Sequence, residues 1–224
     1  MPFDSLSRGD LAVVGRELML AAHLQDRCSV PAVLARRSMD EALQLAIDEW
    51  MMVSPLYTRR LQRFLGFVGD DVPTIFKGLQ LDVGFAHQFM DVGYRVHDSQ
   101  RGEFWLRHCG ALADVVPMGE DMVRGMCHDI EDPTFDATAV ATNARARIRA
   151  VRRPPGEPRG GRDSHWTVEI DESIEPAVQH PWLADMERSQ LAQLPNEPAA
   201  AVSDPGGRDD YRGPFDPDFE LEHF

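Results

Sequence analysis

The chain has 224 residues, 43% hydrophobic and 27% charged, with 23 basic against 37 acidic side chains and a formal charge of −14. That length and apolar share suit one domain with a buried core, and no run of 18 or more apolar residues is present, which excludes a membrane-spanning helix. The acidity argues against general nucleic-acid binding, and three cysteines are too few for a disulfide scaffold and fit a reducing cytoplasm.

The first ten residues lack the basic start and apolar run of a secretory signal. Leu11, Val14, Leu18, Ala21 and Ala22 recur at helical spacing, and Cys28 to Pro31 break that run. Ser38 with Glu41 forms a capping box that opens a helix through about Val53, with Leu43, Ala46, Trp50 and Val53 on one face. Ser54 followed by Pro55 reads as the start of a third helix, carrying Leu61, Phe64 and Leu65 inward and Arg59, Arg60 and Arg63 outward. Gly69 to Asp71 form a turn, and Pro73 starts a fourth helix running to roughly Val96.

The period then changes. Glu103 to Cys109 reads as a strand ended by Gly110, and helical spacing returns from Gly119 to Ile130, closed by Asp132-Pro133. Ala144 to Arg152 and His165 to Asp171 form a hairpin. It sets Arg145, Arg147 and Arg149 on one side, with Ala146, Ile148, Ala150, Trp166, Val168 and Ile170 inward. At least three antiparallel strands with four or more helices define an α+β class. The domain covers 1–171, with a helical part at 5–97 and a mixed part at 98–171. Residues 172–224 hold twelve acids, three arginines and seven of the sixteen prolines, the composition of a largely disordered acidic tail. Within it 181–194 forms a short helix, with Trp182, Leu183, Met186 and Leu191 on one face, and Phe215, Phe219, Leu221 and Phe224 are spaced among acids.

Titratable residues concentrate between His87 and Glu131. A zinc or iron site needs three or four His, Cys or carboxylate donors. His87 and Asp91, four apart on one helix, with His108 from the strand and Cys127 from the next helix, are the candidate ligands. Cys109 before a helix is a candidate nucleophile, and His128 is a candidate base for an activated water, with Asp91, Asp121 or Glu131 as orienting groups. Trp105, Tyr94 and Asp121 are candidate substrate contacts, and Phe89, Phe104, Phe135 and Trp166 are either further pocket wall or plain core. Seven arginines between Arg145 and Arg162 lack interleaved aromatics, and Glu169 and Asp171 lie opposite them, so the row reads as a self-paired face, not a nucleic-acid surface.

Three stretches carry a resemblance: Trp105-Leu106-Arg107-His108-Cys109-Gly110, Met126-Cys127-His128-Asp129, and the basic strand 144–152 with its return Ser164 to Ile170. In this layout residues 40–171 resemble the L-2-amino-thiazoline-4-carboxylic acid hydrolase family and the vinyl-reductase-type ligand-binding domains. His165 stands where such proteins often have a cysteine at the start of the last strand. The resemblance implies an α+β small-molecule domain, in some members hydrolytic on a cyclic C–N bond. The expectation is therefore a cytoplasmic hydrolase-like enzyme in which a metal- or His-activated water attacks a small substrate. The alternative is a non-catalytic small-molecule-binding or regulatory domain. Neither nucleic acid nor membrane is an expected partner, and a homodimer is allowed.

Overall fold

Ser7 opens the first helix, its hydroxyl accepting the Asp10 amide at 3.1 Å. The computed structural model describes residues 3, 6–156 and 160–195. Helix α1 spans Arg8–Leu34 and runs through the expected break. Pro31 forfeits one bond near the helix end, while the Ala35 amide still reaches the Pro31 carbonyl at 3.0 Å. The apolar face expected on α1 is not its buried one. Leu11 and Leu18 are exposed, and His23 and Asp26 are buried.

Helix α2 (Met39–Leu65) begins at the expected capping box and is continuous through Pro55. The two expected helices merge because Ser54 and Pro55 are buried, so packing holds the turn that lacks an amide. The inward face is one position off expectation: Thr58 and Gln62 are buried, while Leu65 is exposed and Arg60 and Arg63 stack on Phe64. Gly66 ends the helix at φ 77°, a left-handed cap that suits glycine.

Helix α3 (Val72–Gln80) starts from an Asp71 cap and stops well short of Val96. A 3₁₀ turn at Val83–Phe85 follows, then strand β1, Met90–Val96. Met90, Val92 and Tyr94 point one way with Asp91, Gly93 and Arg95 between them, a period of two that the spacing of His87 and Asp91 masks in the sequence. Strand β2 (Arg101–Cys109) leads through Gly110 into α4 (Gly110–Val115). Helix α5 (Glu120–Arg124), a π-helical turn (Gly125–Ile130) and α6 (Glu131–Val140) then form one continuous rod, so Asp132-Pro133 does not close it. Strands β3 (Ala146–Arg152) and β4 (Ser164–Ile170) form the expected hairpin.

The four strands make one antiparallel sheet in the order β1-β2-β4-β3. The fold is α+β. Its inner face buries Tyr94, Phe104, Ile148, Trp166 and Val168 together with Val72, Phe76 and Leu79 of α3. Phe104 and Trp166 stack at 6.2 Å, and Phe135 of α6 meets the Trp166 ring edge-on at 4.9 Å. Asp136 of α6 accepts the Ile148 amide at 2.7 Å and ties the helix to β3.

A bulge decides which side chains of β2 look inward. Asp91 pairs with His108 and Val92 with Leu106, so Arg107 is the extra residue. Arg107 and His108 both face water, and Cys109 turns to the inner face, away from Trp105. Trp105 lies on the outer face over Gly93, where a Cβ would sit 2.5 Å from the indole. The Arg162 guanidinium covers that ring at 4.1 Å.

Residues 172–195 run along the helical layer. The Ala177 amide bonds the Ala144 carbonyl at 2.8 Å, and Arg60 reaches the carbonyls of Ala192 and Leu194. The short helix α7 (Leu183–Glu187) buries Leu183 alone of the four apolar residues expected on one face. Most of the acidic tail, including Phe215, Phe219, Leu221 and Phe224, lies outside the described residues. Among the described residues no helix is long and apolar enough to cross a membrane.

Candidate functional site

Between the sheet's inner face and helices α1, α2 and α6 lies a cavity in which the centre of a water molecule can range over about 70 Å³. An engineered apolar cavity of about 150 Å³ holds benzene, so this smaller space, partly open to solvent, takes a guest of at most one small ring. Trp50, Phe85, Met90, Leu106, Met126 and Phe135 give it mostly apolar walls, and the two methionines can adjust to a guest's shape. The π-helical turn forms part of the wall through Met126 and Ile130. Such wide turns recur at functional sites. Gly125 inside the turn lets it approach α2: a Cβ there would come within 2.9 Å of Leu43.

Four ionisable groups line this cavity: His23 and Arg27 from α1, Asp82 before the 3₁₀ turn, and Glu131 at the start of α6. The first three are positioned by their neighbours. His23 Nδ1 donates to the Val83 carbonyl at 3.2 Å, and its ring packs edge-on against Phe89. Its Nε2 is buried with no hydrogen-bond partner. Arg27 gives Nε (2.8 Å) and Nη2 (2.5 Å) to one oxygen of Asp26, whose other oxygen takes the Trp50 indole N–H at 3.1 Å. Asp82 accepts the Gly84 amide at 2.7 Å, with the hydroxyls of Tyr57 and Thr138 also bonded to it. The Glu131 carboxyl has no hydrogen-bond partner among the described residues.

Burial dominates the electrostatics. Loss of water pushes Glu131 up to about 8, against the pull of Arg153, and Asp82 up to about 6, against its hydrogen bonds from Tyr57 and Gly84. The same loss of water, with Arg27 nearby, lowers His23. Near neutral pH the cavity therefore holds a protonated Glu131 and a neutral His23, one able to donate and the other to accept.

The residues expected from the sequence do not converge here. His87 donates Nε2 to the Gln80 carbonyl at 2.8 Å, while Asp91 is on a strand, not a helix, and pairs with Arg107 at 2.8 Å. His108 is exposed on the bulge. His128 donates to the Pro154 carbonyl at 2.8 Å, and Asp121 is exposed in the first turn of α5. Tyr94 is core, against Phe76 and Phe104, and Trp105 is on the outer face. Cys109 and Cys127 are both buried on the inner side. Among the described residues no three His, Cys, Asp or Glu side chains are grouped to hold a metal ion.

The thiols run opposite to the activation a nucleophile needs. Burial, with Glu131 close by, pushes Cys109 up to about 12 and raises Cys127 well above the ordinary range. The Cys109 sulfur instead caps α4, accepting the Leu112 amide at 3.3 Å. The arginine row is paired, though with other partners than the expected Glu169 and Asp171: Arg149 meets Asp136 of α6 at 2.8 Å, and Arg147 bonds backbone carbonyls.

Sequence reasoning weighed Glu131 but passed over His23, Asp26 and Arg27. Their spacing, i, i+3 and i+4, places three polar groups on one helical face and is the signal that marks them. Fold and site together define an α+β domain enclosing a small-molecule-sized cavity. No family model, curated protein or solved structure matches this chain, so its function is argued from the site.

Proposed function

We propose that this protein binds a small, largely apolar molecule in the cavity between the sheet and helices α1, α2 and α6. The observation that carries the reading is a buried imidazole nitrogen with no partner, on a ring that lines an otherwise apolar cavity. A buried polar atom left unsatisfied costs about 1–3 kcal/mol, and a guest that bonds it recovers that cost. The resemblance to vinyl-reductase-type ligand-binding domains drawn from the sequence would imply the same. The test is a thermal-shift screen of neutral one-ring molecules on the full chain, repeated on Ala111→Leu, which fills the cavity from α4. Stabilisation in the native chain that Ala111→Leu loses supports the reading. A native chain that no such molecule stabilises sinks it.

Hydrolysis is the second reading, favoured by one observation: Glu131 and His23 line the same space with their pKa values moved in opposite directions. In this reading His23 Nε2 takes a proton from water, the resulting hydroxide attacks an electrophilic carbon, and Glu131 protonates the leaving nitrogen. Recovery of the bound molecule unchanged after long incubation separates binding from turnover. The zinc or iron expected from the sequence has its own test: stoichiometric metal in purified protein that is lost in His108→Ala.

A further inference from the structure

The charges in the cavity are already engaged. Arg27 is neutralised by Asp26 through two N–H donors, and Asp26's second oxygen is taken by Trp50. Asp82 accepts from an amide and two hydroxyls. A carboxylate guest would meet a guanidinium that is already paired, and an ammonium guest a carboxylate whose oxygens are already occupied. Bringing an unpaired charge out of water into such walls is far costlier than bringing in a neutral group.

Two hydrogen-bonding capacities remain open. His23 is only 4% exposed and its Nδ1 proton goes to the Val83 carbonyl, so Nε2 of the neutral ring is an acceptor without a donor. The Glu131 carboxyl, at the start of α6, is the other. Desolvation keeps it protonated up to about pH 8, which makes it a donor near neutrality.

We infer that the guest is a neutral molecule of about one ring whose N–H is accepted by His23 Nε2, of the class of cyclic amides and related N–H heterocycles, and not a carboxylate or an ammonium. This rests on the binding reading above. A cyclic amide presents a donor for His23 and an acceptor for Glu131 in one ring, and the rest of its edge is apolar like the walls.

Four five-membered-ring probes test it on the full chain at pH 7: 2-pyrrolidone, cyclopentanone, cyclopentanecarboxylate and cyclopentylammonium. Replacing the N–H by CH₂ removes one neutral hydrogen bond, so 2-pyrrolidone is expected to bind about three- to tenfold tighter than cyclopentanone. Both charged rings are expected to bind at least about tenfold more weakly than cyclopentanone. His23→Leu is expected to abolish the ratio between the first two. Because that variant also loses the bond to Val83, a second readout uses the unaltered chain: the ¹⁵N resonance of His23 Nε2 moves on adding 2-pyrrolidone and not on adding cyclopentanone. Equal affinities with an unmoved Nε2 resonance, or tightest binding of a charged ring, overturn the inference and leave the pocket standing. If none of the four binds, the pocket reading falls and takes the inference with it.

Discussion

On the outer face of the sheet Arg95 meets Glu103 and Arg107 meets Asp91, each at 2.8 Å and in contact with water. Beneath the same sheet Asp82 and Glu131 are held where, among the described residues, no arginine forms an ion pair with them, and both carboxyls are pushed up in pKa. The sequence supplies charged residues to both places. Solvent makes the difference: exposed pairs are screened and contribute little, while a carboxyl cut off from water changes its protonation state instead. A dense row of arginines therefore marks a surface here, and a few isolated polar groups mark the site.

The comparison breaks most sharply on core substitutions. Trp166 is fully buried and stacks on Phe104, so Trp166→Ala is expected to cost about 3–5 kcal/mol in urea unfolding. An equally large loss for Arg149→Ala would erase the distinction between the faces. That arginine is more than half exposed, and its pair with Asp136 is expected to contribute about 0–1 kcal/mol.

Next in size is Glu131→Gln. A carboxyl raised from 4.5 to about 8 in the folded chain contributes stability below pH 4.5 that is lost as pH rises through about 8. Glu131→Gln is therefore expected to match the native chain near pH 4 and to exceed it by a few kcal/mol near pH 9, because each pH unit separating the folded and unfolded titrations is worth on the order of 1.4 kcal/mol. Thermal unfolding across that range reads the effect, and identical slopes for the two proteins would show that Glu131 is solvated. Asp82 works in the same sense over a lower window, from 3.8 to about 6.

Smaller still is the outer-face tryptophan. Trp105→Ala removes ring contacts with Arg162, Arg95 and Arg107 and is expected to cost about 1–3 kcal/mol, less than Trp166→Ala. Thiol labelling sharpens the contrast without perturbing the fold. Alkylation at neutral pH is expected to mark exposed Cys28 first, with Cys109 and Cys127 reacting only once the chain unfolds. Rapid labelling of Cys109 in the native chain would revive it as a nucleophile.

Local signals were readable wherever neighbours in sequence are also neighbours in space. The Ser38–Glu41 capping box, the Asp71–Pro73 helix start and the 146–170 hairpin with its inward Ile148, Trp166 and Val168 all lie within a few residues or one turn of their partners. β1 was hidden because His87 and Asp91 sit at helical spacing while Met90, Val92 and Tyr94 sit at strand spacing, and local pattern does not rank the two. The bulge at Arg107 reverses the face of Cys109, and nothing in the residues beside it announces that.

The sequence on its own determined the α+β class, the helix starts at Ser38 and Asp71, the hairpin and the arginine row as a paired surface, because propensity, capping and period two act over a few residues. It also placed Glu131 among the groups to watch, though not Asp82. Only the tertiary structure brought His23 and Arg27 from α1 to face them across some sixty and a hundred positions of chain, and only enclosure by helices and sheet removed the water whose loss sets their protonation. Contact between distant segments depends on how whole layers pack, and no short window of residues encodes that.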